Sequence, residues 1–109
     1  MALQVHFAIL HCYETEDSGT DECVLRWNGH DFWRGDMKGG RDRNTDTFVL
    51  FPHDSDVGVV SLIELDSPDD DDHLGAHAIR KDELGQGWHR AFFQSDEANY
   101  HLDYEVFQA

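Results

Sequence analysis

Positive charge is scarce in this chain. Eight Lys and Arg stand against 23 Asp and Glu, which gives a formal net charge of −15, and only two of the eight are Lys whereas sixteen residues are Asp. Contacts to phosphate need a basic footprint, so this balance argues against nucleic acid as a partner. It also disfavours unaided attraction to an anionic membrane. An Asp-rich, Lys-poor surface is typical of proteins adapted to high salt, which screens the self-repulsion.

Long apolar runs are missing as well. No stretch approaches the length of about 20 residues that crosses a bilayer as a helix. The N-terminal run MALQVHFAILHCYE has no positive start and is interrupted by His6 and His11. We therefore expect no signal peptide and no membrane span. The expected location is the cytoplasm or a released particle.

Catalytic and zinc-binding motifs are absent too. No Ser lies in GxSxG, and neither HExxH nor Cys-x-x-Cys occurs. The eight His are scattered, so a zinc site remains only an alternative to solvated His in a negative field. We predict a protein that is not an enzyme.

Cysteine is limited to Cys12 and Cys23, which flank the first acidic segment. If the strands on either side of that segment pair, the two alpha carbons could come within bridging range. Two buried free thiols are the alternative that a reducing cell favours.

What the sequence does contain is short β-type runs separated by turn signals. Residues 4–12, 57–65 and 100–107 are rich in branched and aromatic residues, and the last run alternates cleanly. Asn28-Gly29 between two apolar arms is a strong hairpin signal. With 39% hydrophobic residues and 12% aromatics, 109 residues suffice for one core. We predict a single domain over residues 1–109, an all-β antiparallel eight-stranded β-sandwich.

The segment ELDSPDDDDHLG at 64–75 has the highest density of carboxylates, six within nine positions. Two like charges 4 Å apart repel by about 1 kcal/mol even in water. Such a segment is either a solvated loop whose side chains point apart or a site for a cation.

The spacing within this segment resembles a known family. Glu64 is followed by Asp66, Asp72 and Gly75 at intervals of two, eight and eleven, which resembles the third calcium-binding loop of the C2 domain, the β-sandwich of synaptotagmins and protein kinase C. The stretch EDSGTDECV at 16–24 resembles that family's first loop, although it is one residue shorter. YHLDYEV at the C-terminus resembles the family's last strand.

The resemblance implies calcium held between two loops at one end of the sandwich. Ca²⁺ takes six to eight oxygen ligands and accepts mixtures of carboxylates and carbonyls, so two loops can complete a site that one cannot. The predicted ligands are Glu16, Asp21, Glu64, Asp66 and Asp72, with Asp17, Asp69, Asp70 and Asp71 as an outer shell. Phospholipid is the partner that the family implies, but the net charge argues against it, and protein or carbohydrate partners stay open.

A second hypothesis belongs to another class. An acidic sandwich without catalytic residues would also suit a structural subunit of a virion or contractile particle, assembling through exposed edge strands. An inhibitor that covers a basic enzyme with its acidic face is a further alternative. The Gly-rich segment at 35–44 is predicted to be a loop. The partner surface in this hypothesis is Trp33, Arg34, Met37, Lys38, Arg41 and Arg43.

Overall fold

The structure is a computed structural model that describes residues 3–15, 20–65, 71–94 and 98–108. It contains only one helical element in these residues, a 3-10 turn at Lys81–Glu83, and none of their helices is long or apolar enough to cross a bilayer. The eight strands are β1 Leu3–Glu14, β2 Thr20–Trp27, β3 His30–Lys38, β4 Asp42–Leu50, β5 Val57–Glu64, β6 Asp72–Arg80, β7 Trp88–Gln94 and β8 Asn99–Gln108.

The strands form two four-stranded sheets. The first sheet has the order β4-β1-β8-β7 and the second has the order β3-β2-β5-β6. All pairings are antiparallel. The predicted all-β, eight-stranded sandwich is therefore confirmed. The inner strands β1, β8, β2 and β5 include the three runs that were most β-like in the sequence, since an inner strand is covered on its core face along its whole length.

The core between the sheets is formed by alternate residues of each strand. Tyr100, Leu102, Tyr104 and Val106 of β8 are all at most 1% exposed, and they share one face of the strand. Because successive side chains of a strand point to opposite sides, the clean alternation predicted for this segment fixes which side of β8 is buried.

The β2–β3 connection is the tight hairpin that Asn28-Gly29 predicts. Asn28 has φ 50° and Gly29 has φ 86°, the left-handed pair that a two-residue hairpin turn requires. Asn28 also supports the neighbouring strand, because its side-chain oxygen accepts a hydrogen bond from the Val59 N–H at 2.8 Å. This turn lies at the end of the sandwich opposite the acidic segments.

One predicted loop is wrong. Most of residues 35–44 are strand, since β3 continues to Lys38 and β4 begins at Asp42. Only a three-residue turn separates them, with the Gly40 N–H donating to the Cys12 carbonyl at 2.8 Å. Glycine and basic residues predicted a loop here, but pairing of β3 with β2 and of β4 with β1 extends both strands.

A histidine joins three strands on the outer side of the first sheet. The ring nitrogens of His11 on β1 lie 2.8 Å from carboxylate oxygens of Asp42 on β4 and Asp103 on β8. Burial lowers the pKa of His11, but the hydrogen bonds and charges of the two carboxylates together raise it by more. The pKa therefore lies above its ordinary value of 6.5. Protonated His11 therefore bridges two carboxylates across the sheet.

The contact between Gly58 and Trp27 gives the first testable prediction. A Cβ added to Gly58 would lie 2.1 Å from the Trp27 indole, which packs in the core. We expect Gly58→Ala to lower the free energy of unfolding by about 1–3 kcal/mol, the usual cost of overpacking. Urea denaturation measures this. Gly39→Ala is the matched control because its added Cβ meets nothing closer than 3.6 Å. Equal stabilities of the two variants would contradict this account.

His11 gives a prediction about pH. A pKa raised on folding means that the contribution of His11 is fully present below pH 6.5 and is lost as pH rises through the folded pKa. Wild type should therefore exceed His11→Gln in unfolding free energy at about pH 6, and the difference should shrink by about pH 9. His53→Gln, at an exposed turn, serves as control. A difference that grows with pH would contradict the bridge.

Candidate functional site

The two acidic segments begin and end side by side at one end of the sandwich. Strand β2 starts just after the first segment, and β5 ends just before the second, with Cys23 opposite Glu64. The Leu65 N–H donates to the Glu22 carbonyl at 2.8 Å, which continues the pairing beyond the strand. We call this end the acidic pole and define it by its described residues Asp21, Glu64, Asp71 and Asp72.

Three of the predicted ligands share one face of the second sheet. Asp21 lies two residues before Cys23, so both point into the sandwich. Glu64 is opposite Cys23 on β5 and Asp72 is opposite Glu64 on β6, which puts their side chains on that same side. Glu64 and Asp72 are directly opposite each other, whereas Asp21 is a diagonal neighbour of Glu64, at about 7–8 Å in an antiparallel pair. The pleat thus puts Asp21, Glu64 and Asp72 on one face of the sheet.

Two of these carboxylates are buried. Asp21 is 0% exposed and Glu64 is 3% exposed, whereas Asp72 is half-buried and Asp71 is exposed. Taking a carboxylate out of water is costly unless hydrogen bonds or an opposite charge compensate it. The Tyr100 hydroxyl supplies one such bond by donating to Asp21 Oδ2 at 2.6 Å. This bond joins β8 of the first sheet to β2 of the second across the core.

The two cysteines lie beside this bond. Both are free and buried, and Cys23 Sγ lies 3.6 Å from the Tyr100 hydroxyl. Burial raises the pKa of Cys12, and it raises that of Cys23 to about 12. Burial and the bond to Asp21 also raise the pKa of Tyr100. The thiols are therefore protonated and unreactive at neutral pH.

The remaining predicted ligands fall outside the described residues. These are Glu16 and Asp66 of the ligand set and Asp17, Asp69 and Asp70 of the outer shell. Within residues 3–15, 20–65, 71–94 and 98–108, no three His, Cys, Asp or Glu side chains are grouped closely enough to hold a metal ion. A complete calcium site at the acidic pole would thus need further ligands from outside the described residues. Oxygen is the ligand atom that the pole offers, and Ca²⁺ prefers it.

The predicted partner surface is only partly a surface. Met37 is 1% exposed and belongs to the core cluster, so its assignment to this surface is wrong. It points inward because β3 is a strand here and alternates. The Arg43 guanidinium lies over the half-buried Trp33 ring, 5.9 Å from its centroid. The other three basic residues, Arg34, Lys38 and Arg41, are exposed, and Arg34 is paired with Glu22.

A cavity on the first sheet was not predicted from the sequence. A cavity of about 400 Å³ lies on the outer side of the first sheet, lined by Ala8, Ile9, Trp88, His89, Arg90 and Asp103. The β1–β8 register shifts between Phe7 and Ile9, so Ala8 sits in a bulge. The available signal was the outward half of the alternation in β7, where Trp88, Arg90 and Phe92 are aromatic, charged and aromatic in turn.

Comparisons with solved structures identify the fold. The C2 domain labelled A of plant extended synaptotagmin 1 matches 97% of this chain and 92% of that chain, with a TM-score of 0.66 and 11% identity. A structure described as a C2 domain matches 97% of both chains, with a TM-score of 0.56 and 13% identity. Human GIVD cytosolic phospholipase A2 matches 97% of this chain over 16% of its own, with a TM-score of 0.57 and 17% identity.

The chain therefore has the fold of a C2 domain, and the resemblance drawn from its loops and last strand is confirmed for the fold. No protein-family model matches the sequence. No curated protein matches it either. At 11–17% identity the likeness concerns the fold alone.

The buried Tyr100–Asp21 bond generates a prediction about stability. Tyr100→Phe would leave the buried carboxylate without this donor, so we expect a loss of about 1–3 kcal/mol in the free energy of unfolding. Tyr13→Phe is the matched control, because Tyr13 is 50% exposed. Chemical denaturation of both variants measures the difference. A loss no larger at Tyr100 than at Tyr13 would contradict the bond.

Proposed function

We propose that this chain is a non-enzymatic calcium-binding module whose acidic loops mediate calcium-dependent binding or stability. The observation that carries the proposal is the position of Asp21, Glu64 and Asp72 on one face of the second sheet, at one end of the sandwich. Both acidic segments connect to strands at that end. The C2 fold also supports the proposal. In that fold, the segments whose sequence resembles calcium-binding loops are the same two acidic segments.

The charge balance at the acidic pole supports a cation. Asp21 and Glu64 are both buried and are diagonal neighbours on the paired strands β2 and β5. Asp71 and Asp72 lie at the start of β6. In this proposal Glu64, Asp72 and Asp21 contribute oxygens from the strands, and Glu16 and Asp66 contribute them from the connecting segments. A divalent ion would offset the repulsion among these carboxylates, and mass action would then raise stability.

The net charge of the chain bears on which partner would bind in the presence of calcium. A bound ion would give the acidic pole a locally positive centre, to which a protein carboxylate or a lipid phosphate could add an oxygen ligand. With a net charge of −15, the rest of the surface repels an anionic bilayer, so we place a protein ahead of phospholipid as partner.

The assembly alternative has less support from the described residues. Met37, which was assigned to its partner surface, is buried in the core. Most of residues 35–44, predicted to be a loop, are paired strand. The calcium-binding module is therefore the function that we favour.

Calcium titration tests the proposal. Calorimetry on chelator-treated protein should give a saturable heat, and calcium should raise the melting temperature. Asp66→Asn and Asp72→Asn should each weaken binding by about tenfold or more, because each removes a charged ligand.

The control for this titration removes one Asp elsewhere. Asp54 lies exposed at the opposite end of the sandwich, so Asp54→Asn should bind calcium as wild type does. High salt suppresses diffuse attraction of cations to the acidic surface and leaves a coordinated ion in place. No heat and no thermal shift, or equal weakening by Asp54→Asn and Asp72→Asn, would leave only a solvated acidic loop.

A further inference from the structure

Exposed apolar side chains are concentrated on one side of the molecule. Of the seven large apolar side chains that are exposed among the described residues, five project from the outer side of the first sheet. We call this side the aromatic face and define it by Tyr13, Phe48, Leu50, Trp88 and Phe92, of which Trp88 is 56% exposed. Scattered exposed apolar residues need no explanation, but a contiguous patch marks an interaction site.

The exposed rings of this face pack against histidine rings. His6 stacks on Phe48 with ring centroids 4.2 Å apart and lies 5.5 Å from the Trp88 ring. His101 lies between Tyr13 and Phe92, at 4.6 Å from each. Burial and the positive charges of Arg90 and His11 lower the pKa of His101, so its ring is uncharged at neutral pH. Two groups of aromatic rings therefore cross the sheet.

Between and beside the rings lie polar groups that already have partners. The carboxylate of Asp103 lies 2.8 Å from His11 and accepts a hydrogen bond from Arg90 at 3.1 Å. His6 likewise contacts Asp46 at 2.8 Å. Arg90 and protonated His11 offset the charge of Asp103 and hold its oxygens in fixed positions. The face thus offers directed hydrogen bonds beside its rings.

The cavity brings the two kinds of group together. Its lining includes Trp88, the Arg90–Asp103 pair and the small side chain of Ala8. A volume of about 400 Å³ is at the small end of ligand pockets. The cavity therefore fits one or two rings of a ligand whose remainder could extend over the aromatic face.

We propose that this cavity and the aromatic face bind a neutral oligosaccharide. A pyranose ring has an apolar C–H face that packs on an exposed aromatic ring and equatorial hydroxyls that both donate and accept hydrogen bonds. Trp88 matches the first property, and the paired guanidinium of Arg90 and carboxylate of Asp103 match the second. An uncharged ligand is also compatible with a net charge of −15.

A second copy of this chain fits the face less well. A two-fold contact would place the same patch on itself, so that the carboxylates of Asp46, Asp103 and Glu105 would be taken out of water in both copies. Charged residues are depleted at the centres of stable interfaces, and juxtaposed like charges cost several kcal/mol. A basic protein would be attracted by the overall charge, but its affinity would fall steeply with salt.

The experiment is a titration of the full chain with cellohexaose, chitohexaose and mannohexaose, each by calorimetry and by tryptophan fluorescence. Each titration is repeated with calcium and with EDTA. We expect at least one of the three to bind with millimolar or better affinity, to change the Trp emission and to be insensitive to salt. Binding unchanged by EDTA would separate this site from the acidic pole, so failure of either proposal would leave the other standing.

Three variants assign the site. Trp88→Ala should reduce the affinity by tenfold or more, whereas Trp88→Phe should keep most of the calorimetric affinity and lose the change in emission. Val59→Ala, an exposed apolar residue on the outer side of the second sheet, should bind as wild type does. Melting temperatures of all three verify folding.

Several results would overturn the proposal. One is the absence of heat with all three hexasaccharides, and another is equal loss of binding in Trp88→Ala and Val59→Ala. A third is a dimer in sedimentation that Trp88→Ala converts to a monomer, since the face would then be occupied by a second copy.

Discussion

Two sheets packed face to face leave an interior in which a carboxylate persists only if something compensates its charge. Everything else in the molecule is arranged around that constraint. Along most of their length the strands fill the interior with apolar and aromatic side chains, and their polar residues project outward. Asp21 and Glu64 are the buried carboxylates of the described residues, and both lie at one end, where the strands stop and the acidic connections begin. The Tyr100 hydroxyl compensates Asp21 across the core.

The same constraint separates two surfaces with different chemistry. The acidic pole gathers carboxylate oxygens, which are buried in Asp21 and Glu64 and at least partly open to water in Asp71 and Asp72, and its properties depend on charge and ionic strength. The aromatic face carries rings and neutralised ion pairs on the outside of a sheet, so its properties depend on shape and hydrogen-bond direction. Neither surface requires the other, because the strands that connect them are held by their own pairing and by the core.

Much of the fold was predictable from particular residues. The alternation of β8 assigned Tyr100, Leu102, Tyr104 and Val106 to the core, and Asn28-Gly29 located a hairpin, because both signals are local. Met37 was misplaced for the opposite reason. Its neighbours are Gly, Lys and Asp, which are typical of a loop, yet pairing with β2 makes the segment a strand and turns Met37 inward. Strand pairing between distant segments cannot be read from a single window of sequence.

For the candidate sites, the sequence by itself determined which atoms are available: many carboxylates, few amines, no catalytic or zinc motif, and acidic segments spaced like calcium-binding loops. Only the tertiary structure decided that Cys23, Glu64 and Asp72 lie in one row across β2, β5 and β6, and that exposed side chains of β4, β1 and β7 lie together on the outer side of one sheet. The physical reason is that a β-sheet joins residues through hydrogen bonds between strands that are far apart in the chain. Composition and spacing follow the chain, whereas a binding surface on a sheet runs across it.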